Sequence, residues 1–175
     1  MSGDAQAVAE ARALLARTAA ELAAGGARDE ALARFVPGRR VLGIAGRPSM
    51  KPLGRVWRLG VLLLGNDGSL LATGSITRAI EPGHPGHVAV SAEQRRAVRA
   101  AAHRGPFAEG ETVNYDAEPI PLEADGLPDG TGPVFLRDGQ LLVRWSASAD
   151  DSAAAPFERY VAERADLLMH PPERA

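Results

Sequence analysis

The sequence predicts an α+β fold, a single domain in which helices pack on an antiparallel sheet built from hairpins. Two turn signals carry this prediction. Asn66-Asp67-Gly68 separates the β-favouring run 56–64 from a second run at 70–77, and Asp138-Gly139 separates two short apolar runs. The helical segments do not alternate with single strands, as a parallel βαβ sheet would require, so the antiparallel arrangement is favoured.

Helices are predicted from composition and from stop signals. The first is rich in Ala and Leu and is followed by Gly25-Gly26, while the last is opened by Pro156 and stopped by Pro171-Pro172. The predicted helices cover residues 4–24, Asp29–Val36, Ser91–Arg104 and the segment after Pro156. In the last helix, the residues expected to face the core are Phe157, Tyr160, Val161, Leu167 and Leu168.

The N-terminal helix carries a narrow apolar stripe, because Val8, Leu15 and Leu22 are one heptad apart. A stripe of this length favours docking on the body of the domain over a coiled coil. The alternative is that it contacts a second copy or another subunit, which would make the protein a homo-oligomer or part of a larger assembly. The expected division is an N-terminal helix at 1–27 and a single α+β domain at 28–175.

Two further strand predictions follow from prolines and glycines. The segment Glu111–Ile120 should form a third strand, and Pro119 favours a place at a sheet edge. Asp138-Gly139 fits a two-residue type I′ turn that pairs the strands on either side. The residues expected on one face of that hairpin are Val134, Leu136, Leu141, Val143 and Trp145.

Composition excludes several classes of function. The chain of 175 residues has no cysteine, which rules out disulfides, thiol nucleophiles and cysteine-ligated zinc. The longest uninterrupted apolar runs, such as Val61–Leu64, are far short of a membrane span, and Asp4 and Glu10 stand where a signal peptide would be basic and then apolar. We therefore expect a cytoplasmic protein that does not insert into a membrane.

Charge is sorted along the chain although the net charge is only −2. Residues 31–104 contain 12 Arg and Lys against 3 acidic residues, and residues 105–175 contain 5 against 14. No acidic residue lies between Glu30 and Asp67. Either the two blocks pair with each other, or the basic block binds an anionic ligand or a protein partner. The candidate ligand-binding residues are Arg39, Arg40, Arg47, Arg55 and Arg58, since guanidinium groups hold phosphates and carboxylates with paired hydrogen bonds.

Nucleic acid and metal ions are less well supported as partners. Arg95, Arg99 and His103 form a basic stripe at helical spacing, but aromatic residues do not interleave with it, which argues against nucleic-acid binding. His84 and His87 have a spacing found in some metal sites, but they lie in a Pro- and Gly-rich loop. Neither a metal nor another cofactor is therefore predicted.

Ser49 and Lys51 form the one local pair that resembles a nucleophile with its base. A lysine whose pKa is lowered by burial can deprotonate a serine, and a spacing of two places both residues on the same side of an extended chain. A catalytic role for the pair is the alternative to ligand binding. The alternative without a function is that two surface residues lie close together in the sequence by chance.

Several segments of the chain resemble a small uncharacterised bacterial family whose members are sometimes labelled glutaminase. These segments are 56–64, 72–74, 104–113 and 144–146, and the resemblance spans about Pro37 to Leu168. It implies an amide hydrolase. It carries no catalytic residue to this chain, because the sequence Ser49-Met50-Lys51 differs in spacing from the Ser-x-x-Lys motif of serine-dependent glutaminases.

Overall fold

The computed structural model describes residues 3–41, 44–83, 90–123, 127, 132–146 and 151–172. The described residues form an α+β fold with three α-helices and mostly antiparallel strands, which confirms the predicted fold class. The helices are α1 (Gly3–Ala24), α2 (Val90–His103) and α3 (Phe157–Met169). The strands are β1 (Glu30–Val36), β2 (Arg40–Val41), β3 (Ile44–Ala45), β4 (Ser49–Leu59), β5 (Leu62–Gly65), β6 (Leu70–Ala72), β7 (Ser75–Arg78), β8 (Thr112–Tyr115), β9 (Glu118–Pro119), β10 (Val134–Arg137), β11 (Gln140–Val143) and β12 (Ala155–Pro156).

The chain forms two compact units, and each is built from separate stretches of sequence. Unit 1 contains Met1–Asp29, Val56–Thr73 and Glu118–Ala175, and unit 2 contains Glu30–Arg55 and Gly74–Ala117. The division predicted from sequence, a helix at 1–27 and a domain at 28–175, stays a prediction. Within the described ranges, no helix combines the length and the apolar character that a membrane crossing requires.

The core of unit 1 is covered by α1. This helix packs against α3, β11 and β5, and Val8, Leu15 and Leu22 are all buried there beside Leu62 and Tyr160. The apolar stripe therefore docks on the chain's own core, as the first interpretation of its spacing expects. Because these side chains are already covered, they are not exposed for contact with another subunit.

The strands of unit 1 form two consecutive hairpins. The end of β4 pairs with β5 across Gly60-Val61, and β5 pairs with β6 with Leu64 opposite Leu70. The predicted hairpin around Asn66-Asp67-Gly68 is thus present. Its second run was predicted too long, because β6 ends at Ala72 and the continuation forms β7, which belongs to unit 2.

The Asp138-Gly139 turn forms as predicted in the second sheet of unit 1. Both residues have a positive φ, 51° for Asp138 and 72° for Gly139, and Leu136 pairs with Leu141. The predictions for Trp145 on the hairpin face and for Leu167 on the core face of α3 are wrong. Trp145 lies beyond the end of β11 and is 58% exposed, and Leu167 on α3 is 48% exposed. Of the other residues assigned to the core face of α3, Phe157, Tyr160 and Val161 are buried.

In unit 2, a strand replaces the helix predicted at Asp29–Val36. Residues Glu30–Val36 form β1, which pairs in parallel with β8 and places Ala31 opposite Val113. The three residues from Ala31 to Ala33 are buried. Ala and Leu favour a helix locally, but a segment this short takes the conformation that its long-range partner supplies.

The strand predicted at Glu111–Ile120 is divided in two. Its first part, β8, lies between β7 and β1, so it occupies the middle of the unit 2 strands and not an edge. The chain then turns at Asp116, whose φ is 55°, and the short β9 pairs with β6 in unit 1. The edge position that Pro119 predicts therefore holds for β9 alone.

Candidate functional site

The sorting of charge follows the compact units. By sequence, unit 2 contains 11 Arg and Lys against 6 Asp and Glu, whereas unit 1 contains 9 against 16. The excess of positive charge on unit 2 is carried in part by surface side chains of the segment before and within β4. The positive charge of unit 2 therefore favours an anion site on that unit.

The first residues of β4 alternate between the core and solvent. Met50 is 4% exposed and packs in the unit 2 core beside Val98 of α2, whereas Ser49 and Lys51 on either side are exposed. Alternation along a strand places Ser49 and Lys51 on the same side. The geometry expected for this pair from its spacing is therefore present, but Lys51 lacks the burial that a lysine base requires.

Arg104 brings a second basic group to this place. It follows α2 directly, where its N–H donates to the Ala100 carbonyl (3.1 Å), and its Nη2 donates to the Pro48 carbonyl at 2.8 Å. A guanidinium has five N–H donors, and this is the one side-chain hydrogen bond of Arg104 within the described residues. The side chain is exposed, so a fixed guanidinium with further donors lies one residue from Ser49.

The loop after α2 holds Arg55 in a different way. Glu111 accepts a hydrogen bond from the Ala108 N–H at 2.9 Å through Oε2 and pairs with Arg55 through Oε1. Phe107 packs against the unit 2 core and fixes the middle of the loop. For Arg55, the internal pairing that the sequence offered as an alternative is therefore present.

Arg39 and Arg47 lie at the base of the ribbon formed by β2 and β3. The Gly46 N–H donates to the Arg39 carbonyl at 2.9 Å, and a Cβ at Gly38 would overlap the Gly46 carbonyl, so the chain segments that flank β2 and β3 approach closely. Both arginine side chains are exposed. Within the described part of the chain, no carboxylate lies within ion-pair distance of either guanidinium.

Two further predicted ligand-binding residues are Arg40 and Arg58. The backbone of Arg40 pairs with Ala45 in the ribbon. Arg58 lies opposite Leu63 and belongs to unit 1. A ligand-binding role for the five arginines stays a prediction, and the described contacts favour Arg47 among them because it adjoins Pro48.

The basic stripe predicted at Arg95, Arg99 and His103 lies on α2. On α2, Arg95 and Arg99 are exposed, and His103 Nδ1 lies 3.2 Å from Glu109 Oε2. His84 and His87 lie outside the described residues. Among the residues that the structure describes, no three His, Asp or Glu side chains come together as a metal site would require.

Comparison with known proteins returned no match of this chain to a protein-family model, a curated protein or a solved structure. From sequence, Arg104 is predicted as the end of a helix and the start of the resembling segment 104–113, and not as a site residue. Its contact with Pro48 spans 56 residues, and no local pattern indicates such a contact.

Proposed function

We propose that the protein binds a small anionic molecule on unit 2, at a surface formed by Arg47, Ser49, Lys51 and Arg104. The observation that carries this proposal is the hydrogen bond from Arg104 to the Pro48 carbonyl. It holds the Arg104 guanidinium beside the segment 47–51. This segment carries two cations, Arg47 and Lys51, and no acidic residue.

The chemistry of these groups suits an oxyanion. A guanidinium can donate two parallel hydrogen bonds to a phosphate or carboxylate, and an ammonium adds a point charge. A serine hydroxyl can donate a further hydrogen bond. Because Arg104 is already held by Pro48, less side-chain entropy is lost when a ligand binds than for a free arginine.

The test is a calorimetric melting series on the full chain at low and high salt. The probes are inorganic phosphate, glutamine, nucleotides and a short oligonucleotide. A ligand present at a hundredfold excess over its Kd stabilises the folded state by about 2.7 kcal/mol. Calorimetry is preferred to fluorescence because both tryptophans, Trp57 and Trp145, belong to unit 1.

The variants Arg104→Gln and Lys51→Gln should each reduce the shift in melting temperature that the best anion produces. Arg12→Gln is the matched control, because Arg12 is an exposed arginine of α1 in unit 1. A shift that survives in Arg104→Gln and Lys51→Gln would place the anion elsewhere. If no anion in the series raises the melting temperature at 10 mM, the proposal is wrong.

The second candidate is the amide hydrolase that the resemblance implies, with Ser49 as nucleophile and Lys51 as base. It is supported by the side of β4 that the two residues share, whereas the exposure of Lys51 counts against it. The test is release of ammonia from glutamine. Release that disappears in Ser49→Ala would favour the hydrolase, and absence of release at high enzyme concentration would remove it.

A further inference from the structure

Strand β7 is the last of the unit 2 strands on its side, and its outer edge carries an exposed apolar residue. It pairs with β8 alone among the described strands, in the antiparallel register Ile76 opposite Asn114 and Thr77 opposite Val113. Ile76 is 54% exposed. An edge strand with an exposed apolar side chain can pair with another extended chain.

The hydrogen-bond ladder shows which residue of β7 is available for such pairing. Ala79, directly after β7, donates its N–H to the Glu111 carbonyl at 2.9 Å and continues the ladder with the chain of β8. Hydrogen-bonded and non-hydrogen-bonded pairs alternate along an antiparallel ladder. Ser75 and Thr77 therefore bond to β8, whereas Ile76 and Arg78 direct their backbone groups to the open edge.

Of these two outward residues, Ile76 is the one with both backbone groups unused. The Arg78 carbonyl accepts from the Ile80 N–H at 2.9 Å. Within the described ranges, neither the N–H nor the carbonyl of Ile76 has a hydrogen-bond partner. A residue in an added strand could exchange two backbone hydrogen bonds with Ile76.

The cations on β7 and on α2 favour an acidic occupant of this edge. Arg78 is exposed on β7 itself, and α2, which packs against β7, carries the exposed Arg95 and Arg99. None of the three has a carboxylate partner in the part of the chain that the structure describes. A second copy of β7 would bring the same cations to the edge, and charged edge residues oppose such self-pairing. An acidic strand would instead be attracted.

We propose that the β7 edge binds an extended acidic peptide segment of a protein partner by strand addition, with Ile76 as the central pairing residue. Main-chain hydrogen bonds would supply affinity, and the arginines would select acidic side chains. This surface is independent of the anion site at Arg104, so either proposal can fail without the other.

The geometry provides a sharp pair of variants. In Ile76→Pro, the outward N–H is lost while the bonds of Ser75 and Thr77 to β8 remain, and proline is tolerated on an edge strand in this orientation. In Ile76→Ala, the N–H is kept and only the side chain is shortened. A difference between the two variants therefore reports on the backbone hydrogen bond.

The probe is a labelled hexapeptide of three Glu-Val repeats with blocked ends, and binding to the full chain is followed by fluorescence anisotropy. Ile76→Pro should weaken binding about tenfold, as expected when a hydrogen bond is lost and the peptide carbonyl is left unpaired. Ile76→Ala should weaken it by about threefold or less. Arg78→Gln should reduce the salt dependence of binding.

Further controls make the outcome decisive. A Lys-Val hexapeptide and a backbone N-methylated Glu-Val hexapeptide should not bind. In the unsubstituted protein, the acidic peptide should slow amide exchange at Ile76 and leave Thr77 unchanged, and this measurement does not depend on the folding of any variant. The proposal is overturned if the acidic peptide does not bind or leaves exchange at Ile76 unchanged. Equal binding by Ile76→Pro, or self-association through β7, would overturn it as well.

Discussion

The turn between β4 and β5 offers a quantitative test of packing in unit 1. Gly60 has a φ of 66°, and the next residue, Val61, donates its N–H to the Tyr160 hydroxyl oxygen at 3.0 Å. A Cβ at Gly60 would overlap that same hydroxyl oxygen. The substitution Gly60→Ala should therefore strain the backbone and also displace the group that binds the turn.

The two effects can be separated by a double-mutant cycle. A non-glycine residue in the left-handed region costs about 1–2 kcal/mol, and loss of the Tyr160 hydrogen bond costs about 1 kcal/mol. Gly60→Ala should thus cost about 2–3 kcal/mol and Tyr160→Phe about 1 kcal/mol. In the double variant, the hydroxyl is already absent, so the total should stay near 2–3 kcal/mol and not reach the sum of the two single effects.

The assay is urea unfolding followed by tryptophan fluorescence. Trp57 is 6% exposed in the core of unit 1, and its Nε1 donates to the Ala27 carbonyl at 3.1 Å, so it responds when this unit opens. A coupling of about 1 kcal/mol is expected from the shared hydrogen bond. Strict additivity of the two substitutions would refute the claim that Gly60 is required by the Tyr160 hydroxyl.

Three other predictions concern stability. Leu22→Ala should lower the free energy of unfolding in urea by about 2–5 kcal/mol because Leu22 is fully buried. The control, Leu167→Ala, should change it by about 0.5 kcal/mol or less because Leu167 is exposed. Similar losses in the two variants would contradict the docking of α1. Asp138→Ala should cost about 1 kcal/mol because of its positive φ, and Asp138→Gly should be tolerated; an equal loss in both would exclude backbone strain as the cause. The Ser69 hydroxyl and N–H hold the pKa of Asp67 below its ordinary value, so this stabilisation is present at neutral pH and is lost as the pH falls through the folded pKa. Between pH 7 and about pH 3, the urea midpoint should therefore fall more for the unsubstituted protein than for Asp67→Asn, and equal falls would contradict the assignment.

Elements with a local chemical signal were predictable from the sequence. Asp138-Gly139 fixes its hairpin because a type I′ turn requires a positive φ at both central residues, and the register of Leu136 with Leu141 follows from the turn. The end of α1 was equally clear. Gly26 has a φ of 66° and the Ala27 N–H donates to the Leu22 carbonyl, as a glycine C-cap does.

Elements that depend on distant partners were not predictable. The segment Glu30–Val36 has the composition of a short helix, and its strand conformation is set by pairing with Val113 and Asn114 about 80 residues later. The same holds for the site. Arg47 and Lys51 can be recognised in the sequence because acidic residues are absent around them. Arg104 lies far away in the sequence, and its hydrogen bond to the Pro48 carbonyl brings it to the same segment.

Gly60 is a further local signal in the sequence. Gly60 interrupts the apolar run 56–64, and an isolated glycine within a strand pattern often marks a turn or a close approach. The two-residue connection between Leu59 and Leu62 has glycine at its first position with a positive φ, as a type II′ turn requires. The continuous strand expected there is therefore two strands.

The discontinuous composition of unit 1 has a consequence for the order in which the chain can fold during synthesis. All residues of unit 2 have been synthesised once the ribosome reaches Ala117, whereas the side chains that cover Leu15 and Leu22 include Phe157 and Tyr160. The apolar stripe of α1 is therefore made early and is not fully covered until α3 has emerged. Closing this loop of more than a hundred residues delays the unit 1 core, and we expect chaperones to engage α1 during that interval.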